Sequence, residues 1–260
     1  STIQKITDGT GLYNFSYLDA GGTYVITPSK THWTFLPAER TYDDLSADTT
    51  TAHFTGTLNE WDISGTVLDV SSLPLADVVI DVSGDSTAQA TTDGSGNYTI
   101  NGLDAGGTYV ITPSRTHWTF LPSERTYDDL SSNTNTASFT AELNRWDIGG
   151  TVYDDLSSAV SGVTVELTGN TILATMTDTS GNYQFNDLEA GGTYSVTVSY
   201  VHFDTSSPSI REYIDLSGNI ADADFSGTYK HWNISGNVTD GTSPIEDVAL
   251  NLTGDSSTYV

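Results

Sequence analysis

The chain has 260 residues, room for one large domain or two to three small ones. It carries 8 Lys and Arg against 34 Asp and Glu, a formal net charge of −26, which argues against nucleic acid and anionic membrane surfaces as partners. There is no Cys for a disulfide framework, a thiolate metal site or a thiol nucleophile, and no apolar run approaches the ~20 residues of a membrane span.

Read in chain order, the sequence repeats itself. Asp19–Ser46 reads DAGGTYVITPSKTHWTFLPAERTYDDLS, and Asp104–Ser131 repeats it with two changes, Lys30 to Arg115 and Ala38 to Ser123. The step, 104 minus 19, is 85 residues. A diverged third copy runs from Glu189 to Ser217. Tyr13, Tyr98 and Tyr183 keep the step, as do Gly22, Gly107 and Gly192; Trp61, Trp146 and Trp232 do so with one extra residue in the third copy. A fixed period of this kind marks tandem modules. The unit opens at WDISGTV (Trp61), WDIGGTV (Trp146) and WNISGNV (Trp232). The expected organisation is therefore a partial sandwich at 1–60 lacking its first two strands, complete sandwiches at 61–145 and 146–231, and two opening strands at 232–260. Trp232–Gly254 matches the piece that the first copy lacks.

In the second copy, alternation of apolar and polar residues predicts roughly seven short strands: 62–68, 78–82, 88–92, 96–100, 108–112, 118–121 and 136–143. Turn formers separate them, among them Asp93-Gly94-Ser95-Gly96, which supplies left-handed positions for a tight hairpin. Seven strands at such spacing predict an all-β, antiparallel sandwich with almost no helix. In the third copy Val163, Val165 and Leu167 should face Tyr183, Phe185 and Leu188 across the core.

The run Gly150-Thr-Val152, Gly162-Val163-x-Val165-x-Leu167-x-Gly169, Thr177-Asp178-x-x-Gly181-x-Tyr183-x-Phe185-x-x-Leu188 and Gly192-x-Tyr194-x-Val196 resembles the carboxypeptidase regulatory-like domain. That family is similar to the transthyretin-like and collagen-adhesin B-type sandwiches. The resemblance implies a Greek-key, immunoglobulin/transthyretin-like sandwich used as a spacer or stalk in a secreted or surface protein. Despite the family's name, it implies no peptidase chemistry.

Candidate sites follow the repeat. The single His residues His32, His117 and His202 lie too far apart in sequence to assemble a multi-His site within one module. Acidic segments containing Asp43 and Asp44, then Asp128 and Asp129, are the calcium candidates, since hard oxygen ligands hold Ca²⁺. Their spacing lacks the alternate-position pattern of a dedicated loop, so the expectation is solvated charge and no cofactor. Arg40, Arg125 and Arg211 recur with Asp44, Asp129 and Asp215 four residues on, which predicts structural ion pairs clamping the long connecting loop. Trp61, Trp146 and Trp232 are expected in the joints between modules, where Leu143-Asn144-Arg145-Trp146-Asp147 leaves almost no linker and stiffly couples neighbours. Trp33 and Trp118 fit the alternative of a sugar-stacking platform. Ile234, Val238, Val248, Leu250 and Leu252 form an apolar opening hairpin with no sheet of its own to join, an inter-subunit candidate. These readings point to a non-enzymatic rod of head-to-tail sandwiches in an extracellular filament, stalk or adhesin shaft. Its partners are copies of itself, either along a longer tandem chain or through strand complementation between subunits. The alternative is an accessory array of a larger secreted protein that contacts surface polysaccharide.

Overall fold

Period-two burial builds every element of this chain. The computed structural model describes residues 2–253, which hold strands and no α-helix. Two units divide between Arg145 and Trp146. The first copy contains β1 (Tyr24–Ile26), β2 (Trp33–Leu36), β3 (Arg40–Tyr42) and β4 (Thr55–Leu58). The second contains β5 (Glu60–Asp69), β6 (Val79–Gly84), β7 (Ala88–Thr91), β8 (Asn97–Asp104), β9 (Tyr109–Ser114), β10 (Trp118–Leu121), β11 (Arg125–Tyr127) and β12 (Phe139–Leu143). In the other unit lie β13 (Arg145–Asp154), β14 (Thr164–Gly169), β15 (Leu173–Met176), β16 (Asn182–Glu189), β17 (Tyr194–Ser199), β18 (Phe203–Ser207), β19 (Arg211–Tyr213) and β20 (Phe225–Tyr229).

The second copy is a sandwich of two four-stranded sheets, ordered β10-β12-β5-β8 and β11-β9-β6-β7. The third repeats it as β18-β20-β13-β16 and β19-β17-β14-β15. Opening strands β5 and β6 occupy central positions, one in each sheet. The core between the sheets includes Ile63, Val67, Val78, Ile80, Tyr109 and Ile111, all fully buried. In the third copy Val163, Val165 and Leu167 are fully buried, and Tyr183, Phe185 and Leu188 are at most 5% exposed.

Two expectations need correction. Each complete copy has eight strands against the roughly seven expected, because β11 and β19 are three-residue strands set among Pro, Ser, Glu and Asp that read as loop. Nor is the sandwich purely antiparallel. The last strand of each copy runs parallel to its first, pairing Phe139 with Val67 and Phe225 with Val152. A parallel pair needs a long crossover, and the whole of the module lies between these strands to supply it.

The parallel seam has no room for a side chain. A Cβ on Gly65 would stand 1.9 Å from the Ala137 carbonyl oxygen, and one on Gly150 2.5 Å from that of Ala223. Those same carbonyls accept a hydrogen bond from the buried hydroxyls of Tyr98 and Tyr183. Burial pushes both phenols well above their ordinary range, chiefly by desolvation of the phenolate.

Candidate functional site

The first copy is an open sandwich. β1 pairs only with β3 and β2 only with β4, so each sheet keeps its outer pair. Counting back 85 residues, residues 3–6 correspond to β7 and 12–19 to β8. Among the described residues no strand forms at either segment, although both carry apolar side chains. The reason is the ladder. β7 bonds to β6 and β8 to β5, and residues 1–60 contain no counterpart of either. Backbone without a ladder partner stays irregular however well its residues suit a strand.

The rest of the half-sandwich already holds its closed geometry. Tyr13 donates its hydroxyl to Ala52 O, as Tyr98 does to Ala137 O. Asp8 Oδ1 caps the turn at Thr10 N and Leu12 N, as Asp93 does at Ser95 N and Asn97 N. Leu45 N donates to Gly22 O, as Leu130 N does to Gly107 O. Between the β1–β3 pair and the irregular residues 2–18 lies a cleft of about 640 Å³ lined by Ile3, Leu12, Phe15, Leu18, Ile26 and Leu45. The counterparts of four of these, Ile100, Leu103, Ile111 and Leu130, are at most 5% exposed in the closed second copy.

Residues 232–253 present the complementary half. They form no strand, but the hairpin tip is built. Thr239 bridges Pro244, as Leu68 bridges Pro74 and Tyr153 bridges Ala159. Ile245 N donates to Val238 O, as Leu75 N does to Val67 O and Val160 N to Val152 O. Asp240 Oδ1 accepts from Thr242 N and Ser243 N, and those backbone donors, Ser243 first, hold its carboxyl below the usual range. Beyond the tip, Trp232, Ile234, Leu250 and Leu252 are 76–88% exposed, Val248 is exposed and Val238 half-buried. Gly254–Val260, the last part of this segment, lies outside the described residues.

The other predicted residues fall as follows. Arg40, Arg125 and Arg211 do not pair with the Asp four residues on. Their Nε atoms donate to the carbonyls of His53, Ser138 and Asp224 at 2.7–2.8 Å. Their guanidinium groups sit over Phe54, Phe139 and Phe225 at 5.6–5.9 Å. Asp44, Asp129 and Asp215 occupy left-handed turn positions, φ 52–58°. Asp129 Oδ1 instead meets His32 Nε2 at 2.7 Å, joining the first and second copies. That joint has no linker: Asn59 alone separates β4 from β5, with Asn59 N donating to His32 O and Ala105 N to Asn59 O. Sequence reasoning did not find the His32–Asp129 contact, whose partners lie 97 residues apart; the only signal was a His recurring once per copy. Trp61 and Trp146 are half-buried against the cores of the sandwiches they open, while Trp232 is 84% exposed. Trp33 and Trp118 carry the cations of Lys30 and Arg115 over their rings. Among the described residues, no three His, Asp or Glu side chains gather as a metal site; Asp43, Asp44, Asp128 and Asp129 lie exposed in their turns.

Comparison with known proteins agrees with the repeat. Chitinase ChiA of Flavobacterium johnsoniae is 32% identical over 167 residues, 64% of this chain. The chain spans about a tenth of that chitinase, 10% of its length. The solved Bacillus anthracis TIE protein superposes over 74% of this chain and 36% of its own, with a TM-score of 0.57 at 13% identity, a likeness of fold. The profile of the carboxypeptidase regulatory-like domain matches residues 62–140 and 147–221, each starting one residue after the opening Trp. With more than half of its length matched in two tandem copies, the chain belongs to the carboxypeptidase regulatory-like domain family.

Proposed function

We propose that this chain is a non-enzymatic structural segment of an extracellular or cell-surface protein, an array of sandwiches in a stalk or filament. In this reading the cleft of residues 1–60 is closed head to tail by an opening hairpin of the Trp232–Gly254 type from a second copy. The carrying observation is the match of two exposed halves. One lacks a central strand of each sheet, the counterparts of β5 and β6; the other carries the residues of two such strands, with the tip between them already folded. Burying Ile234, Val238, Ile245, Val248, Leu250 and Leu252 would contribute about 9–18 kcal/mol of gross transfer energy. That is of the order of the ~4–15 kcal/mol that association costs. A head-to-tail contact of this kind does not close on itself and extends into a fibre. The test is light scattering on the 260-residue chain and on its Ile234→Asp/Leu250→Asp variant. Open-ended multimers from the first and monomers from the second are expected; equal masses would overturn the reading.

A second reading has its own observation, the 32% identity to a chitinase. Under it the array is an accessory region that holds a larger secreted protein on polysaccharide. Retention of the chain on chitin, lost in Trp33→Ala/Trp118→Ala, would support it.

A further inference from the structure

Gly236 is a glycine with no reason to be one in the chain as folded. Nothing lies within 4 Å of where its Cβ would be, and its backbone is not in the left-handed region. Its repeat counterparts, Gly65 and Gly150, are glycine because a neighbouring strand's backbone, at Ala137 and Ala223, passes where a side chain would stand. Counting back by one repeat, the residue equivalent to Ala137 is Ala52, half-buried at the rim of the cleft with its carbonyl already held by Tyr13.

A second mismatch lies beside it. Tyr17 is fully exposed yet left-handed, φ 59°, a conformation costly for a bulky residue. Its counterparts are Gly102 and Asp187, also left-handed, and their N–H groups donate to Asp62 Oδ1 and Asp147 Oδ1 at 3.1 Å. Asp62 and Asp147 each follow the opening Trp directly; in the exposed hairpin that position is Asn233, which keeps the accepting oxygen.

We infer that Gly236 and Asn233 set the register in which a second copy's hairpin enters the cleft, a deepening that rests on the head-to-tail reading above. Gly236 passes against Ala52, and Asn233 Oδ1 accepts from Tyr17 N. The rest of the hairpin then falls into line: Ile234 faces Phe15, Val238 runs parallel to Phe54, and Leu252 pairs with Ile26. These pairs copy Ile63 with Ile100, Val67 with Phe139 and Val82 with Ile111 in the closed second copy. A slip of one residue turns the apolar set to solvent. A slip of two keeps the faces but drives Ile234 or Val238 into Ala52. Gly236 therefore selects the register by excluding every side chain from one point.

The chain has no Cys, so engineered pairs report cleanly. Ser64 pairs directly with Thr99, which places Ser235 opposite Asn14. On oxidation the full chain carrying Ser235→Cys/Asn14→Cys should give a ladder of covalent multimers, and Ser235→Cys/Ser16→Cys, slipped by two, should give none. Adding Gly236→Val to the first pair should cut the yield by about ten- to a hundredfold. Gly218→Val, at a glycine with the same open surroundings, should leave it unchanged. An unchanged melting temperature in Gly236→Val separates lost docking from lost folding. Equal ladders from both pairs, or indifference to Gly236→Val, would overturn the register while the head-to-tail reading stood. Monomers from both pairs would overturn that reading as well. A bridge within one chain would overturn the second copy as the occupant.

Discussion

Gly65→Ala is the sharpest perturbation of the closed sandwich. The added Cβ would lie 1.9 Å from Ala137 O, whereas carbon and carbonyl oxygen settle at about 3.3–3.6 Å. Strands β5 and β12 must therefore part by roughly 1.4 Å at a seam with no slack. Several bonds sit across or beside that seam. Ala137 N donates to Ser64 O, Thr66 N to Ser138 Oγ, and Arg125 Nε to Ser138 O. The buried Tyr98 hydroxyl depends on Ala137 O itself. Losing two or three of these at ~1 kcal/mol each, and stranding a buried hydroxyl at ~1–3 kcal/mol, costs about 3–6 kcal/mol. For a module of this size that is a fall of at least about 12 °C in melting temperature. Gly94→Ala is the control, since its added carbon meets nothing; it should stay within about 4 °C of the parent. Calorimetry on the full chain, with hydrogen exchange to assign the affected transition, reads both. If Gly65→Ala melted with Gly94→Ala, the packing argument for every glycine at this position, Gly236 included, would be refuted.

Alkaline pH should destabilise the closed sandwiches. Burial raises the Tyr98 and Tyr183 hydroxyls above the ordinary phenol value. The folded state thus holds those protons more tightly; its advantage is whole below about pH 10 and is lost as pH rises through the folded value. Tyr183→Phe should flatten that loss and lower neutral-pH stability by about 1–2 kcal/mol, read from urea unfolding at pH 7 and 11; an unchanged alkaline slope would count against it. Arg125→Met should cost about 1.5–3 kcal/mol, because a charged donor leaves the Ser138 carbonyl. Asp129→Asn should change the unfolding free energy of the second module by less than about 0.5 kcal/mol. Equal costs for the two would restore the Arg–Asp pair. EDTA should leave the melting temperature unchanged; a fall restored by Ca²⁺ would reveal a bound ion at the acidic turns.

The parts of this fold legible in the sequence are those written in period and spacing. The step of 85 residues gave the modules, and alternation in Val163-x-Val165-x-Leu167 gave a core strand and its buried face. What stayed hidden depends on residues far apart. The Tyr98–Ala137 contact spans 39 positions and the β12–β5 pairing spans a whole module, so no local pattern encodes either. The Arg125 partner was hidden because the carbonyl it meets, at Ser138, lies 13 positions on, in the strand-connecting loop. The open sandwich was partly legible: the repeat phase exposed the missing strands, but not that residues 3–6 and 12–19 would go unpaired for want of them. The glycine at 236 carries its meaning only beside the packing at Gly65 and Gly150.

The central claim, that two exposed halves complete one sandwich between copies, is tested most directly by hydrogen exchange on the 260-residue chain over a range of concentrations. Amides of residues 2–23 and 232–253 should become protected together as concentration rises, while those of β5–β12 stay protected throughout. Exchange at both segments that remains fast at every concentration, or protection of one without the other, would contradict the account.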